Sequence, residues 1–463
     1  MLDENSQAVV NRSDKVKPVA VRVAPLHYLV ILLLVSFGSA YLLYLELELT
    51  ALALLSVAWV TLPLLAFFDR VVFDGKRIRR TGVFPRMWAL MTSTRDRIKL
   101  SDVEMVQTNI LRTIRRGGNH IYTYRTALFG KGKVFAIHSG RNGYGPFIET
   151  VLPLLDSELL DQRSIELRDN FAERHEIKRR AREEKIPTAE ILESSLKEFG
   201  KKAVVNKRIP ENGDTNEKAI QLHHLANQLR VSGLLPQSIE AFRRAMLLMP
   251  RDARLLFDFA LCLRSYARTQ RDKTVERRAL AMVRLAERRA GSDGELLARI
   301  GEGYFQFGEW RRAAYVFKKA VTQAGERFRT MIGLAEIALH EGKIAHVIHN
   351  FSAAGELAKA PSLRRWTKNE IEYFSRLNDD EEYMELEISR MNLLDTLDSV
   401  KRSSLRIAIV GFPAIILGIL TGDSLIANIG WAVSIVALSV WAASILLGHM
   451  LSTRIPYDLV DTE

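Results

Sequence analysis

Leu297-x-x-Ile300-Gly301-x-x-Tyr304-x-x-x-Gly308-x-Trp310-x-x-Ala313-x-x-x-Phe317-x-x-Ala320 is the stretch on which the fold turns. Its apolar positions recur at helical intervals on both sides of Gly308, so it predicts two helices joined at a glycine turn. The same spacing occurs upstream, in Leu222-x-x-Leu225-Ala226-x-x-Leu229-x-x-x-Gly233-x-x-x-x-Ser238-x-x-x-Phe242-x-x-Ala245-x-x-x-x-Pro250. Between these, Leu256, Phe259-Ala260 and Leu263 supply a first helix and Ala279, Val283 and Ala286 a second. About seven extra residues separate those halves, with the basic segment 268–278 as the expected insertion. A fourth unit uses Met331, Leu334-Ala335, Gly342, Phe351 and Ala354. Small residues let two antiparallel helices touch, and large ones fill the groove with the next unit.

The pattern resembles the tetratricopeptide repeat, a helix–turn–helix unit that needs about three copies for a stable stack. Residues 219–400 are therefore expected to form a helical solenoid, with 362–377 and 381–400 as capping helices. The resemblance implies a concave surface, lined by first helices, that holds an extended peptide or partner helix. By repeat position its lining is His223, Asn227, Arg230, Phe257, Leu261, Arg264, Ala298, Glu302, Phe305, Ile332 and Glu336. One subfamily clamps a C-terminal carboxylate. Asn227 and Arg299 fall at matching positions, but His223, Asp258 and Glu295 do not, and the acids would repel that ligand.

Outward from the repeats, both ends of the chain turn apolar. Residues 29–45 and 52–68 are uncharged, as are 407–420 and 425–451. A membrane span takes roughly 20 apolar residues, with ~17 the lower limit, so only 407–420 is short without its flanks. Two transmembrane helical hairpins are expected, at 29–68 and 405–451. Cations flank the spans: Arg12, Lys15, Lys17 and Arg22, then Arg70, Lys76, Arg77, Arg79 and Arg80, then Lys401, Arg402 and Arg406, and finally Arg454. The short links carry only Glu46, Glu48 and Asp423. Positive charge marks the cytoplasmic side. Both termini (1–28 and 452–463) and the whole middle are therefore expected in the cytoplasm, at a bacterial inner membrane. The net charge of +12 then faces anionic headgroups, and nucleic acid is not needed as a partner.

Residues 70–155 change to short alternating stretches around Asp74-Gly75 and Gly130-Lys131-Gly132-Lys133, which are hairpin signals. A closing helix is expected at 147–155, begun by Pro146. With Arg77–Phe84, Arg97-Ile98-x-Leu100-x-x-Val103 and that helix, the segment resembles the bacterial pleckstrin-homology-like domain. The resemblance implies a membrane-apposed module for protein contacts, with headgroup binding by Lys76, Arg77, Arg79 and Arg80 a further implication. Arg112, Arg115 and Arg116 are expected on a solvated or membrane-facing loop, and 140–145 in a turn to the helix. Residues 156–218 alternate acid and base and predict a charged helical linker.

The sequence offers little for catalysis. His175-Glu176 lacks the second histidine of a zinc motif, because Arg179 stands there, and no phosphate-binding glycine loop of the G-x-x-x-x-G-K-[ST] type occurs. His346 and His349 share a helix face without a third ligand, and Cys262 sits in a repeat helix as a packed thiol. No catalytic residue, metal or cofactor is assigned. The expected function is a membrane-anchored scaffold or assembly factor that binds subunits of a membrane complex. The alternative is a lipid-responsive regulator or lipid-handling component.

Overall fold

Strand β1 (Val19–Arg22) precedes the first apolar helix, α1 (Leu26–Tyr44), and β2 (Arg70–Phe73) follows the second, α2 (Glu48–Phe68). The two strands pair antiparallel, Val21 opposite Val71 and Arg22 opposite Arg70. An apolar helix pair is thus inserted between two neighbouring strands, and it leaves and returns at one place. The segment 1–28, expected to stand apart from the β domain, supplies one of its strands. The structure, a computed structural model, describes residues 18–23, 25–83, 86, 97–114, 120–131, 133–140, 143–172, 174–189, 191–192 and 213–451. By its contacts the chain forms two compact units, Met1–Leu33 with Val57–Glu370, and Leu34–Ser56 with Ile371–Glu463.

In the first unit, β1 and β2 continue into β3 (Arg77–Thr81) and β4 (Arg97–Lys99) as a four-stranded antiparallel sheet. Asp74 makes its first turn: its carboxylate accepts the backbone N–H of Lys76 at 3.1 Å and of Arg77 at 2.7 Å, a local bond that aspartate favours in turns. A second sheet contains β5 (Met105–Ile114), β6 (His120–Gly130) and β7 (Lys133–His138). Arg112 therefore lies on a strand, opposite Tyr122, where a loop was expected; Arg115 and Arg116 lie outside the described residues. Helix α3 (Tyr144–Val151) closes the domain and buries Phe147, Ile148 and Val151. It begins at Gly143, whose φ of +92° suits glycine.

The expected linker is not a solvated spacer. Its helices α4 (Gln162–Asn170) and α5 (Arg174–Glu183) bury Leu167, Ile177 and Ala181. Residues 193–212 of that linker lie outside the described residues.

Four helical hairpins follow, at the positions the repeat spacing predicts. They are α6 (Gly213–Val231) with α7 (Leu235–Leu248), α8 (Ala253–Gln270) with α9 (Lys273–Arg289), α10 (Gly294–Phe307) with α11 (Trp310–Ala324), and α12 (Phe328–His340) with α13 (Ile344–Leu357). Gly233, Gly308 and Gly342 turn the first, third and fourth with φ of +81°, +80° and +70°. The second hairpin corrects one expectation. Its extra residues form no loop but lengthen α8 to 18 residues, and only Arg271 and Asp272 remain between the helices. Phe317 packs against two backbones, since a Cβ on Gly301 or Gly333 would come within 2.8 Å of its ring. This is the small–large fit read from the sequence. Helix α14 (Pro361–Asp379) follows the fourth hairpin.

The second unit is built on α15 (Glu381–Thr421) and α16 (Ser424–Met450). The expected capping helix 381–400 and the span that begins near 405 are one continuous 41-residue helix. Gly411 faces Ser434, and Gly418 faces Ala427 so closely that no Cβ would fit. Such small residues let apolar helices approach. Phe37, Tyr41 and Tyr44 stack around Trp431 with centroids 5.0, 5.3 and 5.9 Å away, and Tyr44 donates to Asn428 at 2.7 Å. Among the described residues, three helices are long and apolar enough to cross a membrane: Glu48–Phe68, Glu381–Thr421 and Ser424–Gly448. The first expected span coincides with α1, whose stretch Tyr28–Tyr44 is apolar.

Candidate functional site

The face lined by the first helices of the repeats is partly filled by the chain's own segment 157–170, which meets Arg230 and Arg329. Edge strand β5 is covered by it: Val106 bridges Leu160, Asp161 N–H donates to Val106 O at 3.0 Å, and Thr108 and Ser164 hydroxyls meet at 2.8 Å. Covering an edge removes a row of unpaired backbone groups. The Asp161 side chain also caps α4 through Ser164 N–H at 2.8 Å. The two-sheet core then runs on without a break into Phe328, Met331, Ala354, Ala358 and Leu363 of the last repeats.

Against this insertion the first half of the groove is closed by polar bonds. Arg230, 8% exposed, reaches across to Glu166 of α4 at 2.7 Å. Tyr124 of β6 donates to Val231 O. Asp258 gathers His223 at 2.8 Å, Asn227 at 3.1 Å and Arg299 at 3.4 Å. Burial would push the Asp258 carboxyl up; the His223 hydrogen bond and the Arg299 and Arg230 charges overcome this and hold it at about 2. Arg264 is buried, bonded to Gln306 and stacked over Phe307 at 4.6 Å.

Three expected lining residues are corrected to core positions: Phe257, Leu261 and Ala298 are all buried. Phe257 packs so tightly under Gly303 that a Cβ there would approach its ring at 2.8 Å. Repeat position alone misplaces them because α8 and α10 are packed on more than one side.

The second half of the groove stays open. Glu302, Phe305, Ile332 and Glu336 from α10 and α12 line a cavity of about 460 Å³. Its other walls include Gln107 and Asn109 of β5, Arg163 of α4 and Trp366 of α14. Arg329, which the repeat pattern did not single out, pins the rim. It donates to Glu302 at 2.9 and 3.1 Å, to Ser157 O at 3.1 Å and to Leu160 O at 3.2 Å. Burial raises the Glu302 carboxyl and Arg329 opposes it. Among the described residues Glu336 has no ion-pair partner. Its side chain is exposed in the cavity, but protein crowds the carboxyl on most sides, and that partial loss of water together with the nearby Glu302 carboxylate pushes it up to about 7. The cavity thus offers two carboxylates beside aromatic and aliphatic surface, a setting for a cationic or amide-bearing side chain. Among the described residues no cluster of three or more His, Cys, Asp or Glu is placed to hold a metal ion.

The expected headgroup set also changes. Lys76, Arg77 and Arg79 are exposed, but Arg80 forms a two-point ion pair with buried Asp69 at 2.9 and 2.6 Å, and Tyr28 donates to the same carboxylate at 3.1 Å. Arg80 holds the junction between α2 and β2.

No family model and no curated protein matches the chain. Solved structures similar to part of it include TTC0263, a thermophilic TPR protein of Thermus thermophilus, at 21% identity over 39% of this chain and 87% of that one, with a TM-score of 0.29. Pseudomonas aeruginosa PilF matches at 16% identity over 47% and 90%, TM-score 0.30. The Cut9–Hcn1 hetero-tetramer of APC/C matches at 14% over 49% and 43%, TM-score 0.29. The helical-hairpin architecture stands on the helix pairs themselves.

Proposed function

We propose that the chain is a membrane-anchored adaptor that docks partner proteins, subunits of a membrane complex, on the open half of its repeat groove. The observation that carries this reading is the contrast within one concave surface. Arg230, Asn227 and His223 are engaged within the chain, whereas Phe305, Ile332 and Glu336, beside the Arg329-paired Glu302, face a cavity of about 460 Å³. The apolar helices hold the repeats and the two-sheet, pleckstrin-homology-like domain at the cytoplasmic face of a bacterial inner membrane. Insertion of α1 and α2 between paired strands supports two crossings that return to one side, in line with the placement of Lys and Arg.

Site-specific photo-crosslinking in intact membranes tests the reading. A photoreactive residue at Ile332 should capture a discrete protein partner, and one at Tyr315, exposed on α11, should not. Equal adducts at both positions, or none at 332, would remove the groove as the docking site. Loss of the adduct in Glu336→Gln and Phe305→Ala chains would tie it to the cavity.

A further inference from the structure

Every cation on the outer face of the four-stranded sheet stands opposite another. Residues directly across an antiparallel pair share a face. The register sets Arg22 against Arg70, Arg79 against Arg97 and Arg77 against Lys99. The alternate positions Val21, Val71, Phe73, Ile78 and Ile98 are buried, so these cations lie on the side turned away from the core. Among the described residues of the four strands, the same face carries Ala20, Val72 and Thr81 and no acid. Among the described residues none of the six is in an ion pair. Asp74, the nearest carboxylate, is occupied by its turn, accepting from Lys76 and Arg77 N–H, and Arg79 and Arg77 help hold it below the usual carboxylate range.

Like charges directly opposite destabilise a sheet. A lysine at an edge is a common guard against strand pairing, but edge protection accounts for cations on β1 and β4 and not for Arg70 on β2 or Arg77 and Arg79 on β3, the two interior strands. The face begins where the apolar helices end: Arg70 lies two residues after Phe68, and the Arg22 guanidinium covers the Phe67 ring at 4.4 Å. Same-face positions are ~7 Å apart along a strand, so the three charged rows step away from that helix end within one or two Debye lengths of ~8 Å.

We propose that this face is a docking surface for the anionic headgroup layer of the bilayer that holds α1 and α2. The occupant is anionic phospholipid, bound by Arg22, Arg70, Arg77, Arg79, Arg97 and Lys99 together. The inference rests on the membrane reading above; of the set read from the sequence it keeps Arg77 and Arg79, drops Lys76 and Arg80, and adds Arg22, Arg70, Arg97 and Lys99.

The test uses the full chain in lipid nanodiscs doped with photoactivatable phosphatidylglycerol or phosphatidylcholine, the reactive group on the headgroup. A second probe carries it in the acyl chain. Phosphatidylglycerol adducts should concentrate on 77–81 and 97–99, several-fold above phosphatidylcholine. They should fade between about 50 and about 500 mM salt as the Debye length contracts. Substitution of Arg77, Arg79, Arg97 and Lys99 by Gln should abolish the difference, and lysine at the three arginine positions should restore it. Acyl-chain labelling of Glu48–Phe68 without headgroup selectivity on these strands would overturn this proposal alone. Absence of acyl-chain labelling would overturn the membrane reading and this proposal with it. Labelling insensitive to lipid charge but competed by added polyglutamate or an oligonucleotide would assign the face to a soluble polyanion and overturn it too.

Discussion

Arg230 and Glu166, 64 positions apart in sequence, meet at 2.7 Å with both side chains nearly buried. The pair joins the first repeat helix to a segment that leaves the β domain, on the filled half of the groove. Removing one partner of a buried pair strands the other charge and typically costs ~3–5 kcal/mol. Glu166→Ala and Arg230→Ala are each expected to lower the melting temperature of the detergent-solubilised chain and to speed hydrogen exchange in 162–170. The double substitution Arg230→Met with Glu166→Leu should lose less than either, because no charge is left behind. A Glu166→Ala chain with unchanged melting and exchange would show that the pair does not hold the insertion.

The Asp258 cluster sets an acid limit. Its folded-state pKa of about 2 lies below the 3.8 of a free aspartate. A depressed carboxyl gives stability that is fully present above the unfolded value and is lost as pH falls through the folded one. The difference corresponds to ~2 kcal/mol, present above pH ~4 and fading toward pH ~2. Asp258→Asn should therefore melt below wild type at neutral pH, with the gap closing in that window. A gap that stays constant down to pH ~2 would mean the carboxylate is not held in its charged form by His223 and Arg299.

The helical hairpins were legible because each writes its own period: Leu297, Ile300 and Tyr304 mark one helix, Ala313, Phe317 and Ala320 the next, with Gly308 between. Val19–Arg22 was not, because a four-residue strand shows no more than two alternations and its partner comes after both apolar helices. The filled groove was invisible for a similar reason. Charge alternation in 157–185 looks the same whether Glu166 faces water or Arg230. Periodicity also names which residues face inward on a repeat without telling whether that space is vacant, so Phe257 and Glu336 looked equivalent.

Phe317 is held between two helices by the absence of side chains at Gly301 and Gly333. Gly333→Ala would place a Cβ within 2.8 Å of ring carbons, and the ring is buried with little room to move. Overpacking of this kind costs ~1–3 kcal/mol. The variant should melt below wild type, and Phe317→Leu added to it should recover part of the loss. Additive destabilisation by the two changes would deny the contact.

Glu336 is the cavity's adjustable charge. Its carboxyl sits at about 7, well above the ordinary glutamate value, through burial and then the Glu302 carboxylate. A raised acid favours the protonated form in the folded chain, so folding takes up a proton and stability falls as pH rises from ~4.5 to about 7. Glu336→Gln cannot ionise. Its melting temperature should track wild type near pH 4.5, exceed it increasingly up to about pH 7, and then run parallel. The same step should appear in docking. A partner that brings a cation to this carboxylate should bind more tightly above about pH 7 than at pH ~5.5, with no such step in Glu336→Gln. Identical pH profiles for the two chains would place Glu336 in ordinary solvent and remove it from the groove's chemistry.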